Sequence, residues 1–174
     1  MFVCISGISS SGKTTIGKLV AEKLGYVFVD LDLFYLPRGP NVILSNGIVK
    51  KNWDCLETLD FELLNSILEN NLYIGRGVIL VGFTLQDDLL YRAPDVHIHL
   101  SMGNTESEII ERCILSRKRT KKVKDDELMV REVVYPFYVE TLSKSTITYT
   151  IETYLGEIRK SIDIIFEEVS RIIT

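Results

Sequence analysis

The feature that most constrains the fold of this chain is a glycine-rich turn near its start, which reads Gly7-Ile8-Ser9-Ser10-Ser11-Gly12-Lys13-Thr14. It fits the pattern G-x-x-x-x-G-K-[ST] in full. An apolar run over residues 2–6 precedes it and has the composition of a buried strand. Apolar residues at 16, 19, 20 and 24 follow with helical spacing and stop at Gly25. A strand, a glycine-rich turn and a helix in this order predict a phosphate-binding loop in an α/β fold.

The rest of the chain alternates strands with helices in the same way. Apolar segments predict strands at 26–30, 77–81, 96–100 and 146–151, in addition to the first at 2–6. Helical periodicity predicts helices starting near Thr58 and at about 105–119, 127–142 and 158–172, the third with a kink at Pro136. The expected fold is therefore α/β, a three-layer P-loop NTPase with a five-stranded parallel sheet. With 174 residues, the chain is expected to form one domain over 1–174.

The residues of the turn have the chemistry that a polyphosphate needs. Backbone N–H groups from Gly7 to Thr15 can surround phosphate oxygens, and the serines at 9, 10 and 11 add hydroxyl donors. Gly12 leaves room for the ligand, and Lys13 supplies a charge to the β- and γ-phosphates. The Thr14 hydroxyl is placed to bind Mg²⁺. The predicted cofactors are ATP, or another nucleoside triphosphate, and Mg²⁺.

Composition excludes several other functions. Twenty Lys and Arg against 24 Asp and Glu give a net charge of −4, which argues against nucleic acid or a membrane surface as a partner. The longest apolar runs have the length of strands, so no membrane span is expected. Three distant cysteines without metal-ligand spacing, and no visible targeting segment, predict a cytoplasmic protein. The Asn-Lys-x-Asp segment with which GTPases read guanine is missing, so a small-molecule kinase is favoured.

Two carboxylates end the second predicted strand, Asp30 and Asp32. Because parallel sheets bind ligands beyond the carboxyl ends of their strands, one of these groups can face the glycine-rich turn. A kinase that phosphorylates an alcohol needs a carboxylate that accepts the hydroxyl proton. Asp32 is the candidate base because it lies farther out, with Asp30 second, and a solvated strand end or helix cap is the alternative. A long loop over 31–52 follows, as in functional lids.

Several segments together resemble the uridine kinase family, and its nicotinamide riboside kinase branch in particular. They are the glycine-rich turn over 7–15, Asp32-Leu33-Phe34-Tyr35, Asn52-Trp53-Asp54 with Leu59-Asp60, residues 79–83 and Val134-Tyr135-Pro136-Phe137-Tyr138. The resemblance is strongest over 2–83. It implies transfer of a phosphoryl group from ATP to a hydroxyl of a small molecule, with the 5′-hydroxyl of a nucleoside as the expected acceptor.

The resemblance also implies roles for individual residues. Asp32 would be the catalytic base and would touch the Mg²⁺ shell. Phe34, Tyr35 and Trp53 would hold a nucleoside-like acceptor by its base, and Asp54 would bind the ribose hydroxyls. Packing in the core is an equal alternative for Phe34 and Trp53. Helix capping is an alternative for Asp54, although Thr58 is the better cap by sequence.

One position departs from the family pattern. Members of the resembled family carry Glu before the Gly-Phe pair that ends the third strand, whereas this chain has Val81. Either Asp32 suffices, or the acceptor differs, or catalysis is weakened or lost. Asp87 and Asp88 lie nearby, but they are expected to start a short helix rather than to replace the missing Glu.

The only basic cluster of the chain runs from Arg112 through Arg117, Lys118 and Arg119 to Lys124. In related kinases a helical lid, here about 112–127, closes over ATP and delivers arginines to the transferring phosphoryl group. Arg117 is the candidate catalytic arginine, with Arg112 and Arg119 as further ATP ligands. A solvated basic turn is the alternative, and a nucleic-acid module is disfavoured because no aromatic residues interleave the run.

Two smaller questions concern the histidines and the acceptor. His97 and His99 share one face of the fourth strand and lack a third ligand, so packed, hydrogen-bonded histidines are expected rather than a metal site.

A kinase for another small alcohol or for a nucleoside monophosphate is the alternative function. The monophosphate would need basic residues near the acceptor loop, where Arg38, Lys50 and Lys51 are available.

Overall fold

The computed structural model describes residues 1–83, 85–118, 126–153 and 158–173. Five parallel strands form the central sheet in the order β2-β5-β1-β6-β7. These strands are β1 (Phe2–Gly7), β2 (Val27–Asp30), β5 (Val78–Gly82), β6 (Val96–Ser101) and β7 (Tyr149–Glu152). A separate antiparallel pair consists of β3 (Asn41–Ile43) and β4 (Val49–Lys51).

Strand β1 lies at the middle of the sheet because all its side chains are buried and it pairs with β5 on one side and β6 on the other. Its residues alternate between two apolar layers. Val3 and Ile5 pack on the face covered by Ile16 and Ile165, whereas Phe2 and Cys4 pack on the opposite face with other helices. Apolar layers on both faces are what a parallel sheet with helical crossovers requires.

Six α-helices surround the sheet in the described part of the chain. They are α1 (Lys13–Leu24), α2 (Phe61–Tyr73), α3 (Glu106–Lys118), α4 (Asp126–Met129), α5 (Tyr135–Ser143) and α6 (Ile158–Ile173). Helix α1 ends at Gly25, which adopts φ 68° and donates its N–H to the carbonyls of Ala21 and Glu22. Helices α1 and α6 cover one face of the sheet, and α2 covers the other.

The expected start of the second helix was wrong. Helix α2 begins at Phe61, and its N-cap is Asp60, whose carboxylate accepts the Leu63 N–H at 2.9 Å. Thr58 is instead fully buried in a short 3-10 turn, and its hydroxyl donates to the carbonyls of Trp53 and Cys55. Carboxylate and hydroxyl caps have similar energies, so the hydrogen bonds of Thr58 to the preceding segment decide which of the two residues caps the helix.

Residues 31–52 are more ordered than the predicted loop. Leu31–Phe34 form a 3-10 turn, and β3 and β4 make a hairpin that closes through Leu44 N–H to Ile48 O at 2.9 Å. Gly47 turns the chain with φ 81°, and Asn46 accepts the Ile48 N–H. This hairpin lies beside the carboxyl edge of the main sheet, where Lys50 and Lys51 reach a cavity with P-loop residues.

The predicted helix over 127–142 is divided by a π-helical turn, Val130–Val134, between α4 and α5. Pro136 stands in the first turn of α5, one turn after the π turn begins. Because proline lacks an N–H and its ring crowds the preceding turn, a wider turn at this point accommodates it.

The predicted α/β fold with a five-stranded parallel sheet is therefore confirmed, and each main-sheet strand lies within a few residues of its expected position. The middle of the predicted lid, 119–125, lies outside the described residues. Within the described residues, no helix combines the length and the apolar character needed to cross a bilayer.

Candidate active site

The glycine-rich turn forms a compact loop between β1 and α1. Gly12 has φ 87°, and Ser10 is the one described residue other than glycine with a positive φ, 74°. The Ser11 N–H donates to Ile8 O at 3.0 Å, which closes the loop. A Cβ on Gly7 would collide with the Ser11 hydroxyl and would stand 2.8 Å from the Leu100 carbonyl, so only glycine fits there.

A cavity of about 250 Å³ lies at this loop, lined by Ser10, Gly12, Lys13, Thr14 and Thr15. Helix α1 starts here with no side-chain cap and no acidic residue in its first turn, so its N–H groups face the cavity without a competing anion. The buried Ser11 hydroxyl has no hydrogen-bond partner among the described residues. A cradle of unsatisfied donors fits a polyphosphate, as the sequence predicts for Gly7 to Thr15.

Lys13 connects this cradle with a second, larger cavity, because it lines both. Its side chain is 8% exposed and forms no hydrogen bond or ion pair with another described residue. Burial lowers the pKa of Lys13, while the carboxylates of Asp32 and Asp30 raise it and partly offset that effect. A buried cation whose charge is only partly compensated will attract a phosphate.

Asp30 and Asp32 have different places at the end of β2. The Asp30 carboxylate caps the 3-10 turn by accepting the Asp32 N–H at 3.1 Å, so it fixes the backbone that carries Asp32. Asp32 is accessible to solvent and lines the larger cavity together with Lys13. Partial burial in the cavity raises the pKa of Asp32, Lys13 lowers it, and Asp30 raises it further. Of the two carboxylates, Asp32 is therefore the one placed to accept a proton from a bound hydroxyl.

The larger cavity measures about 700 Å³ and joins the glycine-rich turn to the acceptor loop. Its lining consists of Ser9, Lys13, Asp32, Tyr35, Lys50, Lys51, Trp53, Asp54, Phe83 and Met129. Four of the five predicted acceptor residues are thus brought together, namely Asp32, Tyr35, Trp53 and Asp54.

The fifth, Phe34, is not in the cavity. It is 7% exposed and packs in the core with Leu59, Leu64 and Leu68. The 3-10 turn, with Leu31 and Phe34 both buried, directs Phe34 inward while Tyr35 continues as extended backbone toward Trp53. The assignment of Phe34 to the acceptor was wrong, because core packing takes this side chain.

Three side chains meet at the cavity wall beside β4. The rings of Tyr35 and Trp53 are 6.1 Å apart and nearly perpendicular, and the Lys51 ammonium lies 4.7 Å from the centre of the Trp53 ring. Lys51 Nζ also donates to the Pro37 carbonyl at 2.8 Å. Burial raises the pKa of the Tyr35 hydroxyl, and the carboxylates of Asp54 and Asp32 raise it further, so this group stays neutral.

Val81 lies away from the cavity. It is fully buried in the core, and a Cβ on Gly17 of α1 would collide with it, so Val81 occupies the space directly beneath that helix. An ionised Glu at this place would be desolvated without a partner. Val81 is thus part of the core and not of the cavity lining, and its effect on catalysis stays a prediction.

The expectation for the histidines is confirmed. His97 and His99 are buried, and both contact the Ser6 hydroxyl, at 2.9 Å from His97 Nε2 and 3.1 Å from His99 Nδ1. His99 Nε2 also contacts the Tyr138 hydroxyl at 2.7 Å. Burial lowers the pKa of each histidine to about 4, so both are neutral near pH 7. This network supports the end of β1 directly before the glycine-rich turn.

The predicted arginines are only partly described. Arg112 lies half-buried on α3, and it lines neither cavity. Arg117 belongs to α3, but its side chain lies outside the described part of the chain, as does Arg119 entirely. Their roles remain predictions. Asp87 and Asp88 form a short 3-10 turn, as expected, and Asp87 accepts the Thr146 N–H.

Four residues that line the larger cavity were not predicted as site residues, namely Lys50, Lys51, Phe83 and Met129. The two lysines were noted only as available charges. Asn46-Gly47 is a strong hairpin signal, and it would have predicted that the chain turns back and returns both lysines to the sheet edge. Nothing local in the sequence marks Phe83 or Met129.

The residues present also fit a magnesium ion. Mg²⁺ usually takes one or two protein oxygens, with substrate phosphates and water completing its shell. The Thr14 hydroxyl at the cradle and the Asp32 carboxylate in the adjoining cavity are oxygens of this kind. Among the described residues, no group of three or more His, Cys, Asp or Glu side chains forms a complete protein metal site.

A parallel five-stranded sheet with a P-loop, a buried lysine and an aspartate across one cavity defines a P-loop small-molecule kinase. The profile of one such family, described as "Shikimate kinase", matches residues 9–163, which is most of the chain. The chain belongs to the shikimate kinase family. It is accordingly an ATP-dependent kinase that phosphorylates a hydroxyl of a small molecule.

Individual relatives support this assignment. Shikimate kinase 2 of Photorhabdus laumondii is 26% identical over 138 residues, which cover 75% of this chain and 79% of that enzyme. Cytidylate kinase of Caldicellulosiruptor saccharolyticus is 28% identical over 123 residues, covering 70% of this chain and 52% of that enzyme.

Solved structures show the same fold. The shikimate kinase of Acinetobacter baumannii in complex with shikimate superposes with a TM-score of 0.54 at 20% identity, covering 98% of this chain and 93% of that one. A gluconokinase of Sinorhizobium meliloti gives a TM-score of 0.54 at 19% identity, covering 98% of this chain and 91% of that one.

These findings correct the expected family. The resemblance to uridine kinases and to the nicotinamide riboside kinase branch was wrong, because the match over 9–163 is to the shikimate kinase family. The physical reason is that the P-loop and an aspartate after the second strand serve any phosphoryl transfer to an alcohol. Those shared motifs therefore identify the reaction but not the acceptor.

Proposed function

We propose that this kinase transfers the γ-phosphoryl group of ATP to a hydroxyl of a small hydroxylated carboxylic acid, of the shikimate or gluconate type. The observation that carries the proposal is that Lys50 and Lys51 line the same cavity as Asp32, Trp53 and Asp54. Cations on the acceptor side match an anionic acceptor, and hydroxyl-binding carboxylates match its polyol part.

Lys51 is the better-positioned of the two cations. Its ammonium is held by the Pro37 carbonyl and by the Trp53 ring, and it retains a further donor for a ligand carboxylate. Lys50 lies within β4, paired with Val42 of β3, and is half-buried at the same cavity. Partial burial strengthens the attraction of both cations for a bound anion.

Asp32 carries the proton chemistry in this proposal. The acceptor hydroxyl donates to the Asp32 carboxylate, its oxygen attacks the γ-phosphorus, and ADP leaves with the bridging oxygen. A pKa raised by burial makes Asp32 a stronger base than a fully solvated aspartate. Lys13 and the N–H groups of the glycine-rich turn hold the phosphates. Mg²⁺, which Thr14 and Asp32 would hold, neutralises phosphate charge when it is bound.

A nucleoside monophosphate is the second candidate acceptor. The perpendicular pair of Tyr35 and Trp53 offers an apolar edge for a flat base, and Lys50 and Lys51 would then bind the phosphate. The similarity to a cytidylate kinase over 123 residues favours testing this acceptor beside the acids.

The deciding experiment is a comparison of kcat/KM with ATP and Mg²⁺ for shikimate, gluconate, CMP, uridine and glycerol. The proposal expects turnover of at least one hydroxylated acid and little turnover of uridine and glycerol, which have no anion for the lysines. If kcat/KM is higher for CMP than for both acids, a nucleoside monophosphate is the acceptor instead. A preference for a neutral acceptor would contradict both.

We also propose that the protein acts in the cytoplasm. Its three cysteines, Cys4, Cys55 and Cys113, are free thiols, two of them buried. Free thiols are typical of proteins in reducing compartments. Cell fractionation of the tagged chain checks this, and recovery from an oxidising compartment with oxidised cysteines would contradict it.

A further inference from the structure

The β3–β4 hairpin, residues 41–51, is held at its tip by a residue far along the chain. The Ser45 N–H donates to Glu132 Oε2 at 2.9 Å, and the Ser45 hydroxyl donates to Glu132 Oε1. Both oxygens of one carboxylate are thus engaged by one hairpin residue. These two hydrogen bonds lower the pKa of Glu132, so the carboxylate is ionised over the working pH range.

The neighbouring residue Leu44 fixes the same tip from the inside. It is 2% exposed and belongs to the buried cluster that contains Ile8 of the glycine-rich turn, Met129 and Val130. The tip therefore packs between the phosphate cradle and the start of the π turn. By contrast, Ile43 and Val49 of the same hairpin are largely exposed.

The other end of the hairpin carries Lys50 and Lys51 into the larger cavity. A two-stranded hairpin with three residues per strand has little stability of its own. The base of the hairpin is held by the Asn52 N–H, which donates to Pro40 O at 2.8 Å, and by Lys51 Nζ, which donates to Pro37 O at 2.8 Å. At the tip, Leu44 supplies non-directional burial, so the directional restraint there comes from the pair of Ser45 and Glu132.

We propose that Glu132 is a positioning residue for the acceptor: by binding Ser45 it fixes the hairpin over the cavity and so places Lys50 and Lys51 for the substrate anion. The kinetic part of this inference rests on the proposed function. The structural part does not, because the hairpin can be observed without any acceptor. Glu132 lines neither cavity and touches no reacting group.

The test compares Glu132→Ala with Glu140→Ala. Glu140 is also exposed and also holds a partner, Lys144 at 2.7 Å, but it lies on α5 away from the hairpin. Hydrogen exchange measured by mass spectrometry over 41–51 should become faster in Glu132→Ala and stay unchanged in Glu140→Ala. Trp53 is the only tryptophan of the chain, so its quenching by acrylamide should rise in the first variant alone. Unchanged exchange and quenching in Glu132→Ala would overturn the inference even if no acceptor is known.

Steady-state kinetics distinguishes a positioning role of Glu132 from a general loss of structure in the variant. With the accepted substrate, Glu132→Ala should raise the acceptor KM by roughly three- to tenfold, the effect of losing hydrogen bonds of ordinary strength, and leave the KM for ATP unchanged. Glu132→Gln keeps one acceptor oxygen and should recover part of the loss. Ser45→Ala combined with Glu132→Ala should be no worse than Glu132→Ala alone, because both remove the same contact. Equal increases in both KM values, or additive losses, would overturn the positioning role.

Discussion

The two sides of the cavity are built by different means. The donor side is one continuous segment between β1 and α1, in which backbone conformation and short side chains form the cradle. The acceptor side collects residues from the 3-10 turn after β2, the hairpin, the segment at 53–54, Phe83 and Met129. The donor side can be read from a local motif, whereas the acceptor side exists only once distant segments have packed. Changes in those distant segments can therefore alter which acceptor binds while the glycine-rich turn, and with it the phosphoryl-transfer reaction, stays the same.

The largest effect is expected on the donor side. Lys13→Ala should lower kcat by roughly a hundred- to a thousandfold, because it removes the buried charge that faces the phosphates. Lys18→Ala is the matched control, since Lys18 is exposed on the same helix with its ammonium 5.6 Å from the Phe28 ring. Steady-state kinetics measures both variants. A near-normal kcat in Lys13→Ala would show that the cradle does not bind the reacting phosphates.

The comparable test on the acceptor side uses the two aspartates. Asp32→Asn should lower kcat by roughly a hundredfold or more, the usual contribution of a general base. Asp30→Asn should have a much smaller effect, because an amide oxygen can still cap the 3-10 turn. Single-turnover rates with circular dichroism as a fold control decide this. Equal losses in the two variants would mean that Asp32 has no special role.

The buried histidines that support the end of β1, next to the donor side, should make the stability of the chain depend on pH. The pKa of His97 and of His99 is about 4 in the folded chain, below the value near 6.5 expected on unfolding. The unfolded chain therefore binds more protons between those values, and the free energy of unfolding must fall as pH decreases through this window. The loss is at most about 3 kcal/mol per histidine.

This prediction is checked by urea unfolding at several pH values for the wild type and for His97→Gln. The variant should show a shallower decline from pH 7 toward pH 4, because one titrating group is gone while the carboxylates are unchanged. These two histidines are the only ones in the chain, so no other imidazole contributes. Parallel pH profiles would contradict the assignment.

The smallest effect concerns acceptor charge. Lys51→Met should raise the KM for an acidic acceptor by about tenfold, as expected for losing one partly exposed ionic contact, with the KM for ATP unchanged. Lys23→Met, on α1 with an ion pair to Asp163 on the far side, is the control. If the acceptor KM is unchanged in Lys51→Met, Lys51 does not bind the acceptor and its assignment is wrong.

The same contrast explains what could be predicted from the sequence. The alternation of apolar segments was enough for the five-stranded sheet, because β1, β5 and β6 are buried on both faces and the edge strands β2 and β7 are still apolar enough to show their character locally. The glycine-rich turn was predicted residue by residue for the same reason. Asp32 was singled out because it follows the second strand, whereas Tyr35, Trp53 and Asp54 were implied only by the family resemblance. All four line the larger cavity, and their roles stay predictions.

The errors have different causes. Phe34 was drawn into the core by a 3-10 turn that has no clear sequence signal. Asp60 and not Thr58 caps helix α2, because the Thr58 hydroxyl donates to two carbonyls of the preceding segment. The hairpin strands are short and partly polar, so they show no periodicity, and only Asn46-Gly47 marks their turn. The family was mistaken because the shared motifs describe phosphoryl transfer rather than the acceptor.

The most direct test of the account is phosphorus NMR of the chain incubated with ATP, Mg²⁺ and a hydroxylated acid such as shikimate or gluconate. The account predicts a new phosphate-ester signal that grows in step with ADP in the wild type and is lost in Asp32→Asn. Release of ADP and inorganic phosphate with no new phosphate ester from the acids and no new phosphoanhydride from CMP would contradict it.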